Sequence, residues 1–202
     1  MAKSRFKPEH QNSDLNLKVV AGLERLGEVF KHLLWEQAKI HGLSPIQIQI
    51  LLFTDQHKAE YNTVSYLALE LSVTKATISD AVRVLVKKEL LQKIPSVVDQ
   101  RSYWLKPTPK TETLLAEFTQ YDQAIISEVK RLDEATKENL FQALSQVISS
   151  LNKKEIIKVQ RNCQACKFLN DSGNQAYCNL LELPLKSSDY RLDCPEFEAA
   201  LS

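Results

Sequence analysis

Hydrophobic and polar residues follow a helical period along most of the chain. One apolar stripe runs through residues 13–41 and stops before Gly42, a residue type that often follows the last turn of a helix. Two further stripes cover residues 111–132 and 134–152, and Asp133 between them can cap the second helix. The pattern predicts three long helices. Their apolar faces could pack together within one molecule, but they exceed what a small domain can cover, which favours a dimer.

Shorter helices are predicted between the long ones. Ser44 and Gln47 can form a capping box at the start of one helix. Either Asn62 or Thr63 can cap a second, and a tight connection leads from it to a third helix over residues 74–90. Two helices joined by a short turn are typical of a helix-turn-helix.

The helix predicted over residues 74–90 has two different faces. Ile78, Val82 and Leu85 lie on one apolar stripe. The opposite face carries short polar and basic side chains: Lys75, Thr77, Ser79, Asp80 and Arg83. Small polar groups let a helix approach a DNA groove, and cations bind phosphates and guanine edges. Lys75, Thr77, Ser79 and Arg83 are therefore the candidate DNA contacts, and the alternative is an ordinary solvated face.

A β-hairpin is predicted directly after this helix. Residues 90–95 and 102–106 are short β-prone runs, and the polar segment between them suits a hairpin tip. A hairpin in this position would be the wing of a winged helix. Arg101 at its tip could enter a minor groove, where the electrostatic potential favours a cation, and Asp99 could orient the guanidinium. The alternative for this pair is an exposed turn ion pair, which contributes little.

Residues 13–152 resemble the MarR family of winged-helix transcription regulators. The resemblance is carried by the block KATISDAVRVLVKKELLQK, by Asp99-Gln100-Arg101-Ser102, which matches the D-x-R-S of the family's wing, and by Thr108 after the second wing strand. The chain departs from the family at Glu89, where a glycine is usual at the helix end, and at Pro107 and Thr111, which flank Thr108.

The resemblance implies a mainly α fold in which long terminal helices from two chains form a dimerisation module. It also implies a homodimer that binds a palindromic operator in double-stranded DNA. The wing residues Asp99, Arg101 and Ser102 then join the helix residues as expected DNA contacts.

The formal net charge of +1 conceals a gradient along the chain. Residues 44–110 contain nine basic and six acidic side chains, whereas residues 163–202 contain three basic and six acidic ones. A nucleic-acid surface in the middle of the chain and an acidic appendage after it would produce this pattern. No apolar run approaches the roughly 18 residues of a membrane span, and no secretory signal opens the chain, so we expect a cytoplasmic protein without a membrane partner.

All four cysteines lie in the last quarter of the chain, at Cys163, Cys166, Cys178 and Cys194. The surrounding sequence is rich in turn-forming residues and has too few large apolar residues to order itself. In a cytoplasmic protein a metal is a more common staple than disulfides. Four thiolates suit a tetrahedral zinc ion, which we expect, and they equally suit an iron–sulfur cluster. Free or redox-active thiols are the remaining alternative.

The sequence therefore predicts a homodimeric, sequence-specific DNA-binding regulator, acting as a repressor, with a structural or sensory four-cysteine metal site. A small molecule or a redox change could be its effector. The alternatives are a thiol redox protein using the C-x-x-C pair and an adaptor that docks a partner through the tail. Redox C-x-x-C motifs usually follow a strand, whereas this one follows a long helix, and no catalytic constellation stands out, so we do not expect an enzyme.

The predicted organisation has four parts. A flexible N-terminus covers residues 1–12, and residues 13–43 and 111–160 form the helical dimerisation module. The winged helix-turn-helix covers residues 44–110. The cysteine-rich extension covers residues 161–202 and is expected to be a loop-rich tail.

Overall fold

The fold is mainly helical, with one small hairpin and one small sheet. The structure is a computed structural model and describes residues 3–95, 103–171 and 175–200. Its α-helices are α1 (Pro8–Asn12), α2 (Leu15–His41), α3 (Pro45–Gln56), α4 (Val64–Glu70), α5 (Lys75–Lys87), α6 (Glu112–Phe118), α7 (Gln123–Lys130) and α8 (Glu134–Lys153). Its strands are β1 (Leu91–Pro95), β2 (Tyr103–Pro107), β3 (Leu169–Asn170), β4 (Ala176–Cys178) and β5 (Leu183–Leu185). None of the helices in these residues is long and apolar enough to cross a bilayer.

Side-chain caps set the starts of the helices as the sequence predicts. Thr63 accepts a hydrogen bond from the backbone N–H of Tyr66 at the start of α4, and Thr74 accepts one from Thr77 at the start of α5. Asp133 caps α8 in the same way. At the other end of α2, Gly42 has φ of 59°, the left-handed conformation that glycine adopts without steric cost.

One hydrophobic core joins the helix-turn-helix, the hairpin and α6. Its fully buried side chains come from α3, α4, α5, β1, β2 and α6 and include Ile48, Leu51, Leu67, Ile78, Leu85, Leu91, Leu105 and Phe118. Strands β1 and β2 pair antiparallel, with Leu91 opposite Pro107 and Pro95 opposite Tyr103. The backbone N–H of Leu105 also donates to the carbonyl of Asn62, 2.8 Å away. The wing is thus anchored to the turn before α4, and the predicted winged helix is confirmed.

Two helical segments differ from the sequence prediction. Residues 8–12 were expected to be flexible but form α1, which begins at Pro8 and packs against α2. The single helix expected over residues 111–132 is two helices, α6 and α7, separated by a turn. Phe118 is fully buried and Tyr121 packs against the same core, whereas α7 buries no residue. Because a short break preserves the apolar period, the pattern did not reveal it.

The cysteine-rich extension contains more regular structure than the loop-rich tail that the sequence predicts. Strands β3, β4 and β5 form an antiparallel sheet in that order, with Leu169 opposite Cys178 and Cys178 opposite Leu183. Short 3₁₀ turns lie at Cys163–Ala165 and Ser187–Asp189, and the second lies next to α8. Strands of two or three residues carry too little pattern to be recognised in a sequence.

Glu89 shows what its departure from the family pattern means for the backbone. It has φ of 61°, just after the end of α5, in the conformation that a glycine adopts most easily. The Thr108 hydroxyl donates a 2.6 Å hydrogen bond to the carbonyl of Glu89, and the Thr111 hydroxyl donates to the carbonyl of Leu90. These two threonines hold the strained turn at the entrance of the wing.

We expect Glu89→Gly to stabilise the protein by about 0.5–1 kcal/mol. An L-residue in the left-handed conformation costs about 1–2 kcal/mol, and glycine removes this strain while adding some unfolded-state entropy. The midpoint of urea denaturation should therefore rise. As a control, Lys87→Gly at the end of α5 should lower the stability by about 1 kcal/mol, because its backbone is helical. A lower midpoint for Glu89→Gly would contradict this account of the turn.

Candidate nucleic-acid interface and cysteine site

The outer face of α5 presents the side chains predicted to contact DNA. Ile78, Ala81, Val82 and Leu85 are buried against the core. Their burial leaves the other face of the helix in solvent. The exposed residues on this face include all four sequence candidates, Lys75, Thr77, Ser79 and Arg83.

Two of these four side chains have contacts that orient them. The Thr77 hydroxyl lies 2.9 Å from that of Thr74, so it belongs to the cap at the start of α5. Arg83 pairs with Asp80 one helical turn before it, and both side chains are mostly exposed. An exposed pair of this kind is weak, so the guanidinium can exchange Asp80 for a phosphate or a base edge.

The base of the wing also carries exposed basic groups. Lys93 and Lys106 lie on β1 and β2 and are exposed, and the Lys93 ammonium lies 4.3 Å from the centroid of the Tyr103 ring. The remaining sequence candidates, Asp99, Arg101 and Ser102, lie outside the described residues. The structure therefore gives the base of the wing and not its tip.

The four cysteines surround one cavity. Cys163, Cys166, Cys178 and Cys194 all line a space of about 30 Å³. The rest of the lining is largely apolar and includes Phe168, Leu169, Leu180, Leu181 and Leu185. The spacing in the sequence predicted four cysteines in one site, and the fold brings them to one place.

Backbone pairing between distant segments produces this convergence. The N–H of Cys194 donates to the carbonyl of Arg161, 2.8 Å away, and the N–H of Cys163 donates to that of Arg191, 3.1 Å away. Cys178 is placed by its pairing with Leu169 in the small sheet. Three parts of the extension that are far apart in sequence therefore each contribute sulfur atoms to the cavity.

Hydrogen bonds also orient the cysteine sulfurs. The buried Asn162 side chain accepts a 2.9 Å hydrogen bond from the N–H of Ala165 and so fixes the turn that carries Cys163. The Cys163 sulfur accepts a 3.2 Å bond from the backbone N–H of Arg191, and the Arg191 guanidinium lies 3.6 Å from the sulfur of Cys194. Such donors favour thiolates over thiols.

The protonation of Cys163 depends on what the cavity holds. Burial raises the pKa of its thiol, the Arg191 N–H lowers it, and the neighbouring cysteines raise it further. A bound cation reverses this balance, because a coordinating thiol is deprotonated. Among the described residues, no three His, Cys, Asp or Glu side chains are arranged so that they could hold a metal ion. The structure thus gives the grouping of the cysteines, and their use as metal ligands stays a prediction.

A buried arginine joins the cysteine site to the helix-turn-helix. The side chain of Arg161 is only 6% exposed. It donates to Asp193 through Nε (2.7 Å) and Nη2 (2.9 Å), and to Tyr66 (2.7 Å) and Glu70 (2.8 Å) on α4 through Nη1. His57 lies beside this group, with Nε2 2.8 Å from Asp193.

These contacts shift the pKa values of the groups involved. Burial acts to lower the pKa of Arg161, but its hydrogen bonds to Asp193, Glu70 and Tyr66 outweigh that effect and raise it. The hydrogen bond from Arg161 lowers the pKa of Asp193, and burial raises that of Tyr66. The cluster therefore holds a charged guanidinium against an ionised carboxylate.

Sequence reasoning did not find this cluster. Arg161, Asp193 and Glu70 are ordinary charged residues in the sequence, and His57 belongs to no motif there. The one available signal is position: Arg161 precedes Cys163 by two residues, and Asp193 precedes Cys194 by one.

Comparison with known proteins shows which class and which family this fold is similar to. The helix-turn-helix with its wing defines a winged-helix protein. A family model described as "MarR family" matches residues 41–102, which contain α3, α4, α5 and β1. Over its winged helix-turn-helix the chain is therefore similar to the MarR family. The match ends before the cysteines. No curated protein matches the chain.

Solved structures of other proteins have a similar fold. The S. aureus MepR–DNA complex has 22% identity and a TM-score of 0.55, covering 64% of this chain and 94% of its own. BldR from Sulfolobus solfataricus, a transcriptional regulator, has 24% identity and a TM-score of 0.52, covering 71% and 99%. Streptococcus pneumoniae FabT in complex with DNA has 18% identity and a TM-score of 0.55, covering 67% and 98%.

Proposed function

We propose that this protein is a homodimeric, sequence-specific DNA-binding transcription regulator whose four cysteines form one metal centre. Repression of the genes beside its palindromic operator is the expected action. The observation that carries the proposal is the exposed polar and basic face of α5, which a capped N-terminus and a buried opposite face hold beside the wing.

The DNA-binding part of the proposal rests on this surface and on the comparisons. MepR and FabT, which share the fold, were each solved in complex with DNA. Lys75, Thr77, Ser79 and Arg83 would read base edges or bind phosphates from the major groove. At the wing tip, the sequence assigns Arg101 to the minor groove, with Asp99 and Ser102 as its neighbours.

The dimer part rests on apolar side chains that one chain leaves in solvent. Along α2, Leu15 is 74% exposed, Leu26 50% and Phe30 39%. Leu140 and Val147 on α8 are exposed as well. A continuous apolar stripe of this length exposes more apolar surface than the single apolar residues scattered over the surface of a typical monomer. We therefore expect another surface to pack against it. A second copy of the chain is the occupant that fits, because a twofold dimer also matches a palindromic site.

The metal-centre part rests on the grouping of four cysteines in an apolar cavity with N–H donors to sulfur. Zinc and an iron–sulfur cluster both accept four thiolate ligands. A cluster would make redox state the effector, whereas zinc would give a structural site.

Replacing Lys75, Thr77, Ser79 and Arg83 by alanine should remove sequence preference in DNA binding. Each base-edge contact that is lost costs on the order of 1–3 kcal/mol at a preferred site. The site would first be selected by the wild-type protein from a random duplex library, and affinities would then be measured by fluorescence anisotropy. Arg131→Ala with Lys137→Ala, which removes one exposed and one partly buried cation near α7 and α8, is the control and should leave the preference intact.

Arg101→Ala in the same assay extends this prediction to the wing. Its loss should reduce the salt dependence of binding by up to about one unit of slope, as expected for one phosphate contact. A preference unchanged in the α5 variant would contradict the assignment of the recognition helix. An unchanged affinity and slope in Arg101→Ala would remove the wing tip from the mechanism.

Leu26→Glu combined with Phe30→Glu should convert the dimer into a monomer. Burial of each apolar side chain contributes roughly 1.5–3 kcal/mol, and a buried unpaired carboxylate opposes association. Analytical ultracentrifugation would measure the mass. Leu69→Glu, on an exposed apolar residue of α4 that is 50% accessible, serves as the control and should remain dimeric. A double variant with the wild-type mass would place the interface elsewhere.

Cys178→Ser and Cys194→Ser should each lower the metal content of anaerobically purified protein. If the four thiolates share one centre, losing any one weakens it, and the extension should become sensitive to protease while the winged domain stays folded. Ser188→Ala in the same extension is the control. Iron and sulfide analysis with a visible absorption spectrum identifies a cluster, whereas one zinc per chain in colourless protein identifies zinc. Full metal retention in both cysteine variants would show that the cysteines do not form one site.

A further inference from the structure

The side chain of Arg161 is inserted into a pocket of the winged domain. Its guanidinium carbon lies 5.3 Å from the ring centroid of Phe53, 5.7 Å from that of Tyr61 and 5.8 Å from that of Tyr66. Glu70 closes the pocket with a carboxylate. Aromatic faces and a carboxylate together form a site that suits an arginine side chain.

The other side of the same guanidinium faces the cysteine extension. Asp193 accepts two hydrogen bonds from Arg161 in a forked arrangement that fixes both distance and angle. The backbones are paired as well, since Arg161 and Asp193 form a parallel bridge. Cys163 lies two residues after Arg161, and Cys194 lies directly after Asp193. A change in the position of either cysteine would therefore displace the guanidinium or its carboxylate partner.

The pocket belongs to the element that supports the recognition helix. Tyr66 and Glu70 lie on α4, and α4 packs against α5 across the turn at Ser72, whose φ is 52°. The position of α4 therefore influences the angle at which α5 is presented. Phe53 and His57, which stack at 3.9 Å, connect the pocket to the end of α3.

We infer that the four-cysteine centre regulates DNA binding, and that the Arg161 contact with Glu70 and Asp193 transmits its state to α4. This inference rests on the proposed function. With the centre occupied, Arg161 holds α4 and α5 in the arrangement seen here, which is the binding-competent one. Loss of the centre releases the Cys163 and Cys194 segments, withdraws Arg161 from its pocket and weakens operator binding.

A second contact between the two parts provides an internal comparison. The Lys58 ammonium lies 3.4 Å from a carboxylate oxygen of Glu196, and both side chains are about half exposed. This pair also joins the extension to the winged domain, but it is solvated, and Lys58 lies before α4 and not on α4 or α5. If any contact between the extension and the winged domain could couple the cysteine centre to DNA binding, removing either pair would weaken the coupling. In the inferred route, only the loss of the Arg161 contact weakens it.

The test measures operator affinity of the full chain with and without its metal. The probe is a palindromic duplex selected by the wild-type protein, and the metal is removed by chelation, or by oxidation if it is a cluster. Coupling between two sites commonly changes affinity by about 5–150-fold, and we expect roughly tenfold weaker binding by metal-free wild type. Arg161→Met should keep its metal and bind DNA with the same affinity in both states. Lys58→Gln should retain the wild-type ratio, meaning the operator affinity of the metal-loaded protein divided by that of the metal-free protein.

Two further variants keep the test decisive. Glu70→Gln leaves the extension unchanged and should reduce the ratio, so it serves if Arg161→Met does not fold. Arg161→Lys restores a charge without the fork and should recover only part of the ratio. Equal affinity of loaded and metal-free wild type, or a wild-type ratio in both Arg161→Met and Glu70→Gln, overturns the inference while leaving the proposed function intact. Failure of loaded wild type to bind any selected duplex overturns the proposed function and this inference with it.

Discussion

The buried guanidinium of Arg161 is the interaction on which the arrangement of the two parts of this protein depends. An unpaired buried charge would cost several kcal/mol, so the side chain can occupy its pocket only if carboxylates meet it there. Glu70 comes from the winged domain and Asp193 from the extension. Neither part alone supplies both partners. The buried charge therefore stabilises one relative placement of the two, since moving either would leave the guanidinium with one carboxylate.

Much of the winged domain could be predicted because the roles of its residues depend on their near neighbours in the sequence. Thr74 is a helix cap by its chemistry, and the spacing of Ile78, Val82 and Leu85 specifies which face of α5 is buried. Glu89 is a residue whose conformation could not be predicted from its own chemistry. The sequence marks it as a departure from the family, yet the backbone conformation of a glycine is retained. The fold imposes that conformation because the wing must begin immediately after the helix.

The extension could be predicted only in part, for a physical reason. The spacing of the four cysteines can be read directly from the sequence, so their grouping could be predicted from it, and their use as metal ligands stays a prediction. The partners of Arg161 lie 32 residues away at Asp193 and 91 residues away at Glu70. A contact between residues so far apart does not affect the hydrophobic periodicity of the sequence. A strand as short as β3 has too few residues to show any period. The break between α6 and α7 was missed because the apolar period continues across it.

The composition of the buried residues explains why the extension needs more than packing. In the described part of the extension only Arg161, Asn162 and Leu185 are buried, and two of these three are polar. Among the described residues, the apolar core of the winged domain contains none from the extension. One buried leucine cannot offset the backbone entropy that is lost when a segment of this length becomes ordered. The other supports of the extension are its backbone pairing and its contacts with the winged domain, of which Arg161 is the most buried. An extension so weakly held by apolar packing would respond to the loss of either support, and that is a property a regulatory element requires.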